Sequence, residues 1–134
     1  MGSKYDIQRN SKTLTGADVE ALRQAVNWPP NKGQYDQILK KSYSHYSLQQ
    51  DGQLVGFLNV ISDGIGNALL VDLMVHPDYQ QKGLGHTIVN VAIADLTEDG
   101  IQQIEVTFNP ELQSFYQNCG FYIRGSGVIE NPPC

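Results

Sequence analysis

The amino-acid sequence predicts an α/β (α+β) domain: a mixed, mostly antiparallel sheet with a central strand–helix–strand crossover and helices on both faces. Three observations predict it. Residues 44–50, 53–61 and 68–75 read as consecutive strands, the first two joined at Asp51-Gly52, a strong hairpin turn signal. Residues 53–61 and 68–75 are apolar at odd and even positions alike, so both sheet faces need a cover. A helix over 84–96 then joins the strand at 68–75 to one at 102–108, and that crossover demands a locally parallel pair.

Taken in order, residues 5–9 alternate and suit an edge strand. Thr15 followed by Asp18 is a capping signal for a first helix, with Val19, Leu22 and Val26 as its apolar stripe. Trp28-Pro29-Pro30 ends it, because residues before proline are pushed out of helical conformation. Residues 31–41 read as a short second helix with Tyr35, Ile38 and Leu39 inward. After the three-strand meander, Leu84, Ile88, Val91, Ala92 and Leu96 give the third helix one buried stripe. Residues 103–108 alternate as a strand, and Asn109-Pro110-Glu111 opens a last helix whose inner face is Leu112, Phe115, Tyr116 and Cys119. Residues 121–124 and 128–130 are two short strands at most, and 131–134 is a tail.

With 134 residues the chain is expected to be one domain, residues 1–134, whose first three residues resemble a cloning remnant. The 40% hydrophobic and 17% charged composition is that of a globular protein, and no apolar run reaches the ~18 residues of a membrane span. A net charge of −5 argues against a nucleic-acid partner, which wants a basic face. Two cysteines, Cys119 and the terminal Cys134, make no disulfide framework, and with no leader visible the expected compartment is the reducing cytoplasm. His45, His76 and His86 are scattered, so no metal site is expected.

The chemistry concentrates between the strand at 68–75 and the helix at 84–96. Gln80-Gln81-Lys82-Gly83-Leu84-Gly85 has two glycines and no acidic residue. A strand, a bare-backbone loop and a helix N-terminus leave several N–H groups converging on one spot, where the helix dipole favours an anion. Phosphate or pyrophosphate is the expected ligand. A P-loop would need Lys-Ser/Thr, which Gly85-His86-Thr87 does not supply.

These residues resemble a known superfamily, the GNAT (GCN5-related) N-acetyltransferases. Its acyl-CoA signature is Gln/Arg-x-x-Gly-x-Gly/Ala between a strand and a helix, here Gln80 to Gly85. Leu73-Met74-Val75-His76-Pro77-Asp78-Tyr79 resembles the usual lead-in, and Phe115-Tyr116 with Gly120-Phe121 is similar to the second signature. The resemblance implies the GNAT fold and acetyl-CoA as donor, with no metal. It places the pyrophosphate on the backbone N–H groups of Gln81, Lys82, Gly83, Leu84, Gly85 and His86, and the pantetheine arm along Leu73, Met74 and Val75, with Gln80, Asn109 and Tyr116 completing the cofactor contacts.

Acetyl transfer needs a neutral amine, a stabilised oxyanion and a neutralised thiolate. The resemblance makes Tyr116 the acid for the thiolate and a backbone N–H near Val75 the oxyanion donor. Several family members carry a glutamate base on the strand before the loop, where this chain has Leu69 and Val71. Asp72 is the ionisable group on that strand, a candidate base or a structural acceptor. Cys119, on an inward stripe, suits packing. The expected partners are coenzyme A and a small amine acceptor, with neither nucleic acid nor membrane, and a homodimer is compatible. The competing expectation is an acyl-CoA-binding sensor or partner module of the same fold without turnover.

Overall fold

The computed structural model describes residues 6–131. Tyr5, the first three residues and Cys134 lie outside them. Five strands form one sheet in the order β1 (Asp6–Arg9), β2 (Ser44–Gln50), β3 (Gln53–Ser62), β4 (Asn67–Val75) and β5 (Gln103–Val106). Neighbours are antiparallel except β4 and β5, which are parallel and linked by helix α3 (Leu84–Glu98), as the crossover demands.

Helices α1 (Gly16–Ala25) and α2 (Tyr35–Lys41) precede the meander. Thr15 and Asp18 form the expected reciprocal capping box at α1, an arrangement typically worth about 1 kcal/mol. The second helix starts four residues later than its pattern suggests. Lys32 at φ 52° and Gly33 at φ 75° sit in left-handed conformations that no helix can include.

Two apolar clusters lie about the sheet. Val19, Leu22 and Tyr35 pack with Leu54, Phe57 and Met74 under α1 and α2. Leu84, Ile88, Val89, Ala92 and Leu96 of α3 pack with Val55, Leu58, Val60 and Leu70 in the other. The α3 stripe is turned from the expected one, since Val89 is fully buried and Val91 only partly. Ile88 explains the turn: it fits over Gly56, where an added Cβ would lie 2.6 Å from Ile88 Cδ1. With Ile88 central, Val89 falls inside and Val91 at the margin.

Helix α4 (Gln113–Asn118) follows a 3-10 turn at Pro110–Leu112. Tyr116 is buried, but Leu112 is 43% exposed, because the turn shifts it off the helical face. Residues 121–124 and 128–130 form no strand; Phe121 packs on the core, residues 122–130 are exposed, and a cavity of about 300 Å³ is lined by residues 103–108 and 119–126. Without a partner there, β5 ends at Val106 and not at 108.

Two bulges shape the meander. One shifts the β2–β3 register at Leu48/Gln49, and the other shifts β3–β4 between Phe57 and Asn59. In the second, Phe57 faces Met74 while Asn59 faces Val71, so β4 holds one residue more than β3. Asp72, at φ 58°, lies in this insertion.

Candidate active site

The bulge and the parallel pair together open an edge. Strand β5 follows β4 only from Asn67 to Leu70, four register pairs in all. Residues 71–75 of β4 continue with β3 on one side and no strand on the other. Backbone N–H and C=O groups facing that gap have no ladder, and an extended ligand can supply one.

The gap leads into the glycine loop. His76 N–H donates to the Val55 carbonyl at 2.8 Å, and a 3-10 turn at Pro77–Tyr79 follows. Gln80 Nε2 donates to the Val75 carbonyl at 2.9 Å and folds the loop back onto the strand end. Gln81 (φ 63°) and Gly83 (φ 77°) both take left-handed conformations, so the backbone curls into a concave nest of N–H groups. Gly83 is the N-cap of α3 and makes no side-chain cap. The first helical hydrogen bond is Thr87 N–H to the Gly83 carbonyl at 3.0 Å, which leaves the N–H groups of residues 84–86 at the helix start. No acidic residue stands in that turn to compete with an anion.

The side chains around the loop have mixed roles. A Cβ on Gly83 would meet nothing within 4 Å, so the space before the nest is open, and glycine is needed there for its φ. A Cβ on Gly85 would come within 3.4 Å of Phe115 Cζ and 3.6 Å of Val75 Cγ2, so β4, α3 and α4 meet at this residue. Lys82 is exposed, with Nζ 5.6 Å from the Tyr79 ring centroid. The His86 ring is already engaged, with Nε2 3.3 Å from the Asn118 carbonyl and Nδ1 2.9 Å from Asn90 Nδ2. Its backbone N–H, and not the imidazole, is what the loop offers. Leu84 is a core residue.

Tyr116 follows Phe115 and packs in an aromatic group, with ring centroids 5.0 Å from Phe108, 4.9 Å from Phe115 and 5.9 Å from Phe121. Its hydroxyl makes no hydrogen bond among the described residues. Burial pushes its pKa up to about 12, with a smaller contribution from Cys119. Burial also raises the pKa of Cys119, which argues against a nucleophilic thiolate.

Leu73 packs against the α3 core, while Met74 is buried with the α1–α2 cluster. Asn109 is exposed, its carbonyl accepting from Leu112 N–H at 2.8 Å. Asp72 is part-buried, and its Oδ2 accepts a hydrogen bond from the Tyr35 hydroxyl at 3.1 Å. Tyr35 Oη in turn accepts from Arg23 Nη1 at 2.9 Å. Sequence reasoning placed Tyr35 inward but missed its polar contact, and nothing in the helical pattern of α1 singles out Arg23. Among the described residues no group of three or more His, Cys, Asp or Glu side chains is arranged to hold a metal, and no helix is long and apolar enough to cross a membrane.

An acetyltransferase (GNAT) domain matches residues 10–131, nearly the whole chain. The chain belongs to the GNAT acetyltransferase family. Among its relatives is the uncharacterized N-acetyltransferase ycf52 of Pyropia yezoensis, 32% identical over 124 residues, covering 89% of this chain and 71% of the relative. Serotonin N-acetyltransferase 2, chloroplastic, of rice is 28% identical over 128 residues, covering 87% and 61%. A GNAT family acetyltransferase of Streptococcus pneumoniae superposes with a TM-score of 0.79 at 26% identity, covering 94% of this chain and 96% of that one. As a GNAT acetyltransferase, this protein is an acyl-transfer enzyme, and the edge of β4 with the glycine loop is its candidate active site.

Proposed function

We propose that this enzyme moves an acetyl group from acetyl-CoA to the primary amine of a small molecule by direct attack. The observation that carries the reading is the five-residue run of β4, residues 71–75, that pairs with β3 on one side and has no strand on the other, leading into the glycine loop. An edge of that length suits a pantetheine arm pairing along residues 73–75, and the N–H groups of residues 81–86 suit the pyrophosphate. Each charge-assisted bond to that anion is stronger than its neutral counterpart, and the α3 dipole adds roughly 0.3–1 kcal/mol.

The amine lone pair attacks the thioester carbonyl, the C–N bond forms and the C–S bond breaks. The nitrogen loses one proton and the sulfur gains one. In this reading a backbone N–H near Val75 donates to the developing oxyanion. Tyr116 is the donor to the departing sulfur. With its pKa at about 12 against roughly 8.5 for an ordinary thiol, complete proton transfer from the phenol is uphill. Its role is therefore to hydrogen-bond the thiolate while the nitrogen's proton moves to it. Asp72 is the candidate group for the amine side. Relatives of similar identity are named for a small primary amine, serotonin, and for a protein, histone, so the acceptor class is what the assay must decide.

The test is thiol release from acetyl-CoA against a panel of small amines and a basic peptide, with CoA affinity measured by calorimetry. Amine-dependent thiol release is expected, faster with small amines. Peptide acetylation with no small-amine turnover overturns the acceptor class, and absence of CoA binding overturns the site.

A further inference from the structure

Three groups from three elements form one hydrogen-bonded line between α1, α2 and β4. Arg23 Nη1 donates to Tyr35 Oη, and that hydroxyl donates to Asp72 Oδ2, at 2.9 and 3.1 Å. The order is fixed by chemistry, because a guanidinium can only donate and an ionised carboxylate only accept. Tyr35 is 1% exposed, and its pKa is pushed up to about 12 by burial first and Asp72 second, so it keeps its proton. Arg23 is anchored at its other side: Nε donates to the Pro29 carbonyl, and the guanidinium lies 5.3 Å from the Trp28 ring centroid.

Packing alone does not explain this line. Phe57, 6.2 Å from the Tyr35 ring, and Met74 already hold α2 to the sheet. A direct Arg23–Asp72 pair would cancel the carboxylate. The interposed hydroxyl instead orients Asp72 through one oxygen, and the other, Oδ1, has no partner among the described residues. Asp72 is also the left-handed residue of the bulge, one position before the strand edge assigned to the donor. Backbone strain kept at such a place points to use.

We propose that Arg23 and Tyr35 are positioning residues that hold Asp72 to receive the acceptor nitrogen, and that the enzyme thereby selects cationic alkylamines over neutral aromatic amines. This rests on the amine-transfer reading above. An alkylamine near pKa 10.4 arrives as an ammonium, which a fixed carboxylate can bind while the extra proton passes to solvent before attack, the remaining one going to sulfur as above; an aniline arrives neutral and needs neither the charge partner nor that first deprotonation.

The experiment compares wild type, Tyr35→Phe, Asp72→Asn, the double variant, and Arg23→Gln and Arg23→Lys. Each is measured for kcat and KM with phenethylamine and with aniline, for CoA affinity and for melting temperature. Tyr35→Phe is expected to lower kcat/KM about tenfold more for phenethylamine than for aniline, with CoA affinity changed less than threefold. In the Asp72→Asn background the same change is expected to add nothing, since Tyr35 acts through the carboxylate. Arg23→Gln should repeat the effect and Arg23→Lys should recover part of it. If Tyr35→Phe does not fold, Arg23→Gln alone decides. Equal losses for both amines, or a Tyr35→Phe loss that multiplies with Asp72→Asn, overturns the relay and leaves acetyl transfer standing. Wild-type protein that binds CoA and acetylates no amine overturns both.

Discussion

Replacing Tyr116 by phenylalanine separates its packing from its hydroxyl. The ring contacts with Phe108, Phe115 and Phe121 survive the change. The hydroxyl forms no hydrogen bond among the described residues, so at pH 8 the variant should match wild type within about 0.5 kcal/mol. The folded-state pKa of about 12 exceeds the unfolded value near 10, so the fold holds the proton more tightly. Stability from this group is therefore complete below pH 10 and is lost as pH rises through 12. At pH 11 the linkage integral makes wild type about 1.4 kcal/mol less stable relative to the variant than at pH 8. Tyr35 and Tyr46 titrate in the same sense in both proteins and cancel. Urea unfolding at the two pH values measures the difference. In the thiol-release assay the variant should lose about a hundredfold to a thousandfold in kcat, the scale for one donor to a developing anion, with CoA affinity nearly unchanged. A stability gap that ignores pH would show the hydroxyl to be solvated, and undiminished kcat would remove Tyr116 from the chemistry.

Gly83→Ala forces a Cβ into φ 77°, at a cost of about 1–2 kcal/mol to folding, and narrows the nest. Denaturation should show that loss, and calorimetry should show CoA binding at least tenfold weaker. Asp99 is held below the usual carboxylate range by the Arg9 hydrogen bond first and the Tyr43 hydroxyl second. Its contribution is present above the unfolded pKa and is lost as pH falls through the lower folded value. Asp99→Asn should therefore be less stable than wild type at pH 7, with a gap that closes in acid unfolding titrations.

The meander, the crossover and the loop were legible because each has a local signature: Asp51-Gly52 for the hairpin, two-sided apolar strands, and Gly83 before a helical stripe. The capping box at Thr15 was legible for the same reason. What escaped was set by tertiary fit. Val89 is buried because Gly56 admits Ile88, a relation between two distant segments. Residues 121–124 read as strand from their side chains, yet a strand also needs a partner, and β5 does not pair with them. In the site, the loop could be read from glycine spacing. The Arg23–Tyr35–Asp72 line joins three elements across 49 positions of sequence and has no periodicity to reveal it.

Asp72 joins two roles that one further comparison can pull apart. Its backbone is the left-handed member of a bulge within the run of β4 that β5 leaves open, and its side chain ends the line from Arg23. Asparagine and glycine both tolerate φ 58° and lack the charge, whereas valine lacks the charge and resists that conformation. If the bulge sets the edge on which the donor lies, Asp72→Asn and Asp72→Gly should bind CoA within about threefold of wild type while losing alkylamine turnover. Asp72→Val should lose turnover and also weaken CoA by tenfold or more. A slip of one residue would turn every side chain after Val71 to the opposite face, so the backbone is expected to matter for more than its local strain. Equal CoA affinity across all three variants would show that the edge forms without the bulge, and would leave Asp72 with its carboxylate role alone.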